Sequence, residues 1–204
     1  CYISYSLFHC LLVVEGGDQI NAILTLLLIP ICILDNRING WFSAKEYTLK
    51  KNILSINAKY SLLFIKIQMA ILYLNAGIDK LYSKEWSNGT AIYYWFNNNV
   101  FGASDFIIKY FGFIFKNDIS VSIINFGVIF FEIFMFLGIL LSQKRKYQLF
   151  IFAIIFHFLI IIIHGLTSFF FSMSAGLVLY LWNLEYNSNE NLKLIWTTNK
   201  LFKK

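Results

Sequence analysis

Long runs of apolar residues constrain this chain more than any other feature of its sequence. The clearest are INAILTLLLIPICIL (20–34), ISVSIINFGVIFFEIFMFLGILLS (119–142) and LFIFAIIFHFLIIIIHGLTSFFFSMSAGLVLYLW (149–182). The two longest exceed the roughly 20 residues with which an α-helix crosses a bilayer. Of the 204 residues, 58% are hydrophobic and only 14% are charged, which is too little charge to cover a soluble domain of this size. The sequence therefore predicts an all-α integral membrane protein, and it excludes a water-soluble enzyme.

The hydrophobic pattern predicts a transmembrane helical domain over residues 1–182 and a basic tail over 183–204. We predict a bundle of about six transmembrane helices, placed at residues 1–14, 20–34, 60–78, 119–142, 148–164 and 167–182. The first segment is short and begins at Cys1, so we expect the start of that helix to be missing from the sequence. The three cysteines have no pairing pattern and predict no disulfide framework.

Residues 87–118 are too polar to span a bilayer, yet they are rich in aromatic side chains. This combination favours amphipathic helices that lie in the membrane interface or re-enter it, and such a segment would cover one face of the bundle. An ordinary structured loop is the alternative.

Lysine and arginine residues are concentrated in three connections, and this predicts the orientation of the chain. Residues 35–59, the turn QKRKYQ at 143–148 and the tail from Asn183 carry most of them, and all three lie on one side if six segments alternate. Cytoplasmic loops of membrane proteins carry an excess of such residues. We therefore predict a cytoplasmic C-terminus. The net charge of +6 follows from the same loops and indicates no nucleic-acid partner.

Ionisable residues at membrane depth are costly and are the first candidates for function. In the predicted topology, residues from four helices can face one outward cavity. We select Lys80, Asp18 and His157 as the leading catalytic candidates, and the further candidates are Gln19, Asp79, Trp86, Glu132 and His164. We predict that Asp18 and Lys80 lie within one water-mediated contact, that His157 lines the floor of the pocket and that Trp86 caps it.

A lysine at a helix end beneath an aromatic cover can act as a base. Each candidate also has a structural explanation. Asp79 and Lys80 could be interfacial charges, His157 could make an interhelical hydrogen bond, and Glu132 could be hydrogen-bonded as a neutral acid. The sequence contains no HExxH or CxxC spacing, so no metal site is predicted.

Two stretches carry a resemblance to a known family. EGGDQINAILTLLLIPICILDNRINGW (15–41) and LYLNAGIDKLYSKEWSNGTAIYYWF (72–96) resemble the sporulation-delaying protein B family, and the resemblance extends through residues 157–182. It implies a bacterial cytoplasmic-membrane protein that is needed to mature a secreted antimicrobial or toxin peptide. It also implies a precursor peptide and a partner maturation subunit as binding partners, besides the surrounding lipids.

That family in turn resembles the wider horizontally-transferred-transmembrane domain, which includes the vitamin K-dependent γ-carboxylase. The carboxylase has a similar lysine-containing element, in which the second lysine of a pair is a base toward a quinone-type cofactor. This resemblance places the role on Lys80 and implies a quinone-like cofactor. The first lysine of the pair is Asp79 here. The alternatives to an enzymatic maturation factor are a scaffold that presents the precursor and a quinone-type redox enzyme.

Overall fold

The computed structural model describes residues 16–34, 49–100 and 102–182. All regular secondary structure in these ranges is helical. The helices are α1 (Gly16–Leu34), α2 (Leu49–Tyr82), α3 (Lys84–Ser87), α4 (Ala91–Phe96), α5 (Asp105–Phe115), α6 (Asp118–Leu137), a 3₁₀ turn (Gly138–Leu140), α7 (Gln143–His164) and α8 (Thr167–Leu181). The predicted first segment and the C-terminal tail lie outside the described residues. The prediction of an all-α membrane protein is confirmed.

Four of the described helical segments are long and apolar enough to cross a membrane: Gly16–Ile33, Ile56–Tyr82, Asp118–Leu140 and Gln143–His164. The apolar helix Thr167–Leu181 is shorter. These five correspond to five of the six predicted segments, and the total of six remains a prediction.

The helix boundaries differ from the sequence prediction at several places, and those of α2 and α7 are the most informative. Helix α2 runs from Leu49 to Tyr82, where we predicted 60–78, and residues 143–148 form the first turns of α7 where we predicted a turn. Leu141 and Ser142 are extended and make the actual connection. Apolar content alone marks the lipid-facing part of a helix, whereas lysine, arginine and glutamine are good helix formers that extend it into the polar region.

The core lies where α8 packs against α1, α2 and α7. Its centre is formed by Met69, Met173, Leu177 and Tyr180, which are each at most 2% exposed. The Tyr180 hydroxyl donates to the carbonyl oxygens of Met135 and Phe136 at distances of 2.8 and 3.1 Å. These two contacts connect the C-terminal end of α6 to the short helix α8.

Small residues let α8 approach its neighbours closely, as the spacing of Ser168, Ser172 and Gly176 predicted. A β-carbon on Gly176 would lie 2.7 Å from Cε of Met69, and one on Gly17 would lie 3.0 Å from Cα of Phe169. Asn21 donates to Ser172 at 2.7 Å across the same interface. Such contacts are typical of helices packed in lipid, and the prediction of a packing face is confirmed at Ser172 and Gly176.

The segment between α2 and α6 is a set of three short helices. Helix α5 buries Ile107 and Gly112, while its side chains Phe106 and Phe113 are 65% and 71% exposed. The stacked rings of Phe96 and Phe115, with centroids 3.7 Å apart, join α4 to α5. The exposed aromatic rings of this amphipathic segment favour the interfacial alternative, and its position relative to the membrane remains a prediction.

Candidate functional site

A buried ion pair joins α2 to α6. The ammonium nitrogen of Lys80 donates to Oε1 of Glu132 at 2.8 Å and lies 2.7 Å from Oε2. The two side chains are only 21% and 12% exposed. Lys80 also donates to the Ala76 carbonyl oxygen at 3.3 Å. Burying two charges costs several kcal/mol per ion and is compensated only by close pairing of this kind.

Helix geometry explains why these two side chains meet. Tyr73, Gly77 and Lys80 recur at the spacing that places residues on one face of α2. A β-carbon on Gly77 would lie 2.7 Å from Cγ1 of Ile133. The absence of a side chain at Gly77 therefore lets α2 and α6 approach closely enough for Lys80 to reach Glu132.

The ion pair lies deep along α6. Glu132 stands 14 residues after Asp118, about 21 Å along the helix. Because Lys80 is two residues from the end of α2, that helix stops well short of the N-terminal end of α6. Helices α3 and α4 pack against the part of α6 that α2 leaves uncovered, where Gly89 packs on Ser122 and Phe126.

Trp86 on α3 covers the ion pair. Its ring centroid is 5.1 Å from the Lys80 nitrogen, which is a cation–π contact. The buried Asn125 of α6 fixes the backbone of α3 by donating to the Trp86 carbonyl oxygen at 2.7 Å. The predicted capping role of Trp86 toward Lys80 thus has a structural basis.

His157 is buried on α7 and is 2% exposed. Its Nδ1 is 2.7 Å from the Ala153 carbonyl oxygen. A carbonyl can only accept, so Nδ1 carries the proton and Nε2 has the lone pair. The ring makes edge contacts with Tyr73 at 6.3 Å and Phe156 at 5.2 Å, and a tilted contact with Phe169 at 5.9 Å.

The other sequence candidates do not join the ion pair. Asp18 is half-buried in the first turn of α1, and Gln19 and Asp79 are exposed. Within the described residues, the ionic partner of Lys80 is Glu132 and neither Asp18 nor Asp79. The His164 ring contacts Trp95 of α4 edge-on at 6.3 Å. A water-mediated contact between Asp18 and Lys80 remains a prediction.

An open cleft lies beside α3 and α4. It has a volume of about 380 Å³ and is lined by Lys84, Glu85, Asn88, Thr90 and Tyr94. Hydrogen bonds from the Glu85 backbone N–H and from the Ser83 hydroxyl, at 2.9 Å for the latter, hold the pKa of the Glu85 carboxyl below its usual range. The cleft residues are those of the short helices rather than Lys80 or His157.

Sequence reasoning missed three residues of this region: Tyr73, Gly77 and Asn125. The positions of Tyr73 and Gly77 relative to Lys80, and of Asn125 relative to Glu132, place each set on one helical face. The spacing could therefore have identified these residues from the sequence. The contact between the two faces could not have been predicted, because it depends on which helices become neighbours.

A metal site was not predicted, and the described residues form no group of three or more histidine, cysteine, aspartate or glutamate side chains able to hold a metal ion. The site therefore consists of one buried ion pair, an indole ring above it, and a tyrosine and a histidine deeper in the bundle. Such a site can orient a polar group, donate hydrogen bonds and exchange protons.

Comparison with known proteins identifies relatives of the whole domain. The chain is 35% identical over 193 residues to the sporulation-delaying protein SdpB of Bacillus subtilis (strain 168), an alignment that covers 93% of the chain and 58% of that protein. It is 33% identical over 180 residues to the uncharacterized protein YitO of the same strain, with 88% of the chain and 58% of that protein covered. The chain thus spans less than two thirds of the length of these relatives.

No solved structure matches the chain. The resemblance to the sporulation-delaying protein B family is confirmed by the SdpB alignment. The HTTM domain family matches residues 1–183, which is most of the chain. The helical bundle that holds the Lys80–Glu132 ion pair is therefore an HTTM domain, and the chain belongs to the HTTM domain family.

Proposed function

We propose that the chain is a membrane maturation factor for a secreted antimicrobial or toxin peptide, with the Lys80–Glu132 ion pair at its functional centre. The similarity to SdpB over 93% of the chain supports the maturation role. The ion pair is the observation that supports placing the functional site here. A buried charge pair is a costly way to join two helices that apolar side chains could join equally well.

The ion pair limits the role that Lys80 can have. A lysine that acts as a base needs a free lone pair, but the Lys80 nitrogen donates to both Glu132 and Ala76. In this state Lys80 is a cation and hydrogen-bond donor, and it can orient a carbonyl group of a precursor peptide. A base role requires the ion pair to open first.

A quinone-type redox enzyme is a second candidate function. Lys80 can donate to a carbonyl oxygen, and the ring of Trp86 at 5.1 Å offers a stacking surface for a planar molecule. Lys80 and Trp86 are the residues that would hold a quinone-like cofactor, which would supply redox chemistry when bound. A quinone that co-purifies in stoichiometric amount, and is lost in Lys80→Met, would favour this candidate.

The proposed location is the bacterial cytoplasmic membrane, with the C-terminus in the cytoplasm and α3 on the outside. The basic residues at the start of α7 support this orientation. Single cysteines at Asn88 and Lys144, in a background without Cys1, Cys10 and Cys32, are expected to react with an impermeant reagent from opposite sides of intact cells. Labelling of both from the same side would contradict the orientation.

Replacement of Lys80 is expected to abolish maturation. The measurement is the mass of the secreted peptide from cells that carry either Lys80→Met or the matched control Lys116→Met, a variant of an exposed lysine on the C-terminal side of α5. We expect unprocessed precursor with Lys80→Met and mature peptide with the control. Normal processing by a correctly inserted Lys80→Met protein would leave the scaffold as the better explanation.

A further inference from the structure

Among the described residues, four buried side-chain atoms lack hydrogen-bond partners: the Tyr73 hydroxyl, Oδ1 of Asn125, Oε2 of Glu132 and Oγ of Ser174. The Tyr73 hydroxyl is a donor without an acceptor. Oε2 of Glu132 is an acceptor that no donor reaches with hydrogen-bond geometry, although it is 2.7 Å from the Lys80 nitrogen. Buried polar atoms are nearly always paired, so the unpaired hydroxyl of Tyr73 calls for an explanation.

The Tyr73 side chain also contacts His157. The two rings meet edge to face, with centroids 6.3 Å apart. Because Nδ1 of His157 is occupied by the Ala153 carbonyl, Nε2 is the acceptor of the ring. Tyr73 therefore packs against the ring of His157, and its unpaired hydroxyl interacts electrostatically with Glu132.

The titratable groups around Tyr73 come from each helix packed there. Glu132 of α6 and Tyr180 of α8 act electrostatically on its hydroxyl. His157 belongs to α7, and Lys80 of α2 is bonded to Glu132. Of these groups, a carboxylate and an imidazole accept a proton readily, whereas the hydroxyl of Tyr180 is a much weaker base.

Close packing in this interface favours exchange of a proton over binding of a molecule. Tyr73 is 2% exposed, and Gly77, one turn further along α2, is in close contact with Ile133. Transfer of a proton needs far less space than entry of a molecule. Rows of ionisable side chains in the interior of membrane helical bundles often form proton relays.

We propose that Tyr73 is a proton-transfer residue that connects the Lys80–Glu132 ion pair to His157. When Glu132 carries a proton, its O–H bond breaks as the Tyr73 oxygen takes that proton. The original hydroxyl proton of Tyr73 leaves and forms an N–H bond at Nε2 of His157. Tyr73 ends unchanged, Glu132 becomes a carboxylate and His157 an imidazolium, so one proton has moved across the bundle.

This inference rests in part on the proposed function, since it assigns proton movement to the same site. Its first test is independent of peptide maturation and uses the purified full-length chain in lipid. Infrared difference spectra over a pH titration give the carbonyl band of protonated Glu132, identified as the band that Glu132→Gln removes. Nitrogen NMR gives the resonance of Nε2 of His157.

We expect Tyr73→Phe to move both signals, because it removes the hydroxyl and keeps the ring. The matched control is Tyr82→Phe, at an exposed tyrosine of the same helix that is expected to move neither. If Tyr73→Phe leaves either signal where it is in the parent protein, Tyr73 does not connect the two groups and the proposal is overturned.

The second test measures the rate of peptide maturation. General acid–base steps typically contribute at least about 100-fold, so Tyr73→Phe is expected to slow maturation by about that factor. Changed spectra with normal maturation would retain the proton connection and overturn the proposed function at this site. Unchanged spectra would show that Tyr73 does not connect Glu132 to His157, whatever the rate of maturation.

Discussion

Lys80→Met is expected to lower the free energy of unfolding by about 3–5 kcal/mol, and Lys80→Met/Glu132→Met is expected to restore it. Removal of one partner leaves the other as an uncompensated buried charge, whereas apolar side chains of similar volume replace both partners at little cost. The Glu132 side chain is only 12% exposed, so water cannot replace the lost ammonium. The measurement is unfolding of the purified protein in detergent or lipid.

The control for this experiment is Lys116→Met, which removes an exposed lysine and is expected to change stability little. If the double variant is as unstable as Lys80→Met, the ion pair is not what the single substitution breaks. If Lys80→Met is as stable as the parent protein, Glu132 is not buried as a charge.

The double variant also separates a structural role of the ion pair from a functional one. Under the proposed maturation role, a structural pair predicts that the double variant, once stable, yields mature peptide normally. A functional pair predicts a stable protein that produces only precursor. The single variant cannot make this distinction, because it combines a loss of stability with a loss of chemistry.

The sequence was sufficient to predict the membrane class and the approximate positions of the long helices. Runs such as 119–142 exceed the length needed for a bilayer, and no soluble fold accommodates them. The extent of α2 could not be predicted, because its N-terminal turns contain Lys50, Lys51 and Asn52, which lower the hydropathy without disfavouring a helix.

The site was predicted only in part. Lys80, Glu132 and His157 were candidates because ionisable residues in apolar helices are rare. Trp86 was a candidate because it belongs to the aromatic segment that could cover the site. The sequence could not tell that Lys80 pairs with Glu132 instead of contacting Asp18 or Asp79. The choice depends on the depth at which α2 ends beside α6, and beyond that end Trp86 and Gly89 pack on α6.

Gly77→Leu is expected to separate α2 from α6 and to disrupt the ion pair as a consequence. The first added carbon would be 2.7 Å from Cγ1 of Ile133, 3.4 Å from its backbone nitrogen and 3.5 Å from the carbonyl oxygen of Ile129. The Ile133 side chain must shift, and the backbone atoms are already at van der Waals distance, so the outer carbons of leucine have room only if the two helices separate. Overpacking of this kind costs about 1–3 kcal/mol, and separation of the ion pair adds to that cost.

Measurement of Gly77→Leu in two backgrounds separates the two costs. In the parent protein we expect the sum of overpacking and ion-pair loss, and in Lys80→Met/Glu132→Met we expect overpacking alone, because no pair remains to be broken. Gly127→Leu is the matched control, since a β-carbon at that position of α6 meets no atom within 4 Å. Equal losses of stability in both backgrounds would show that Gly77 contributes to helix packing without positioning Lys80. Trp86 and Asn125 would then be the residues that fix the geometry of the ion pair.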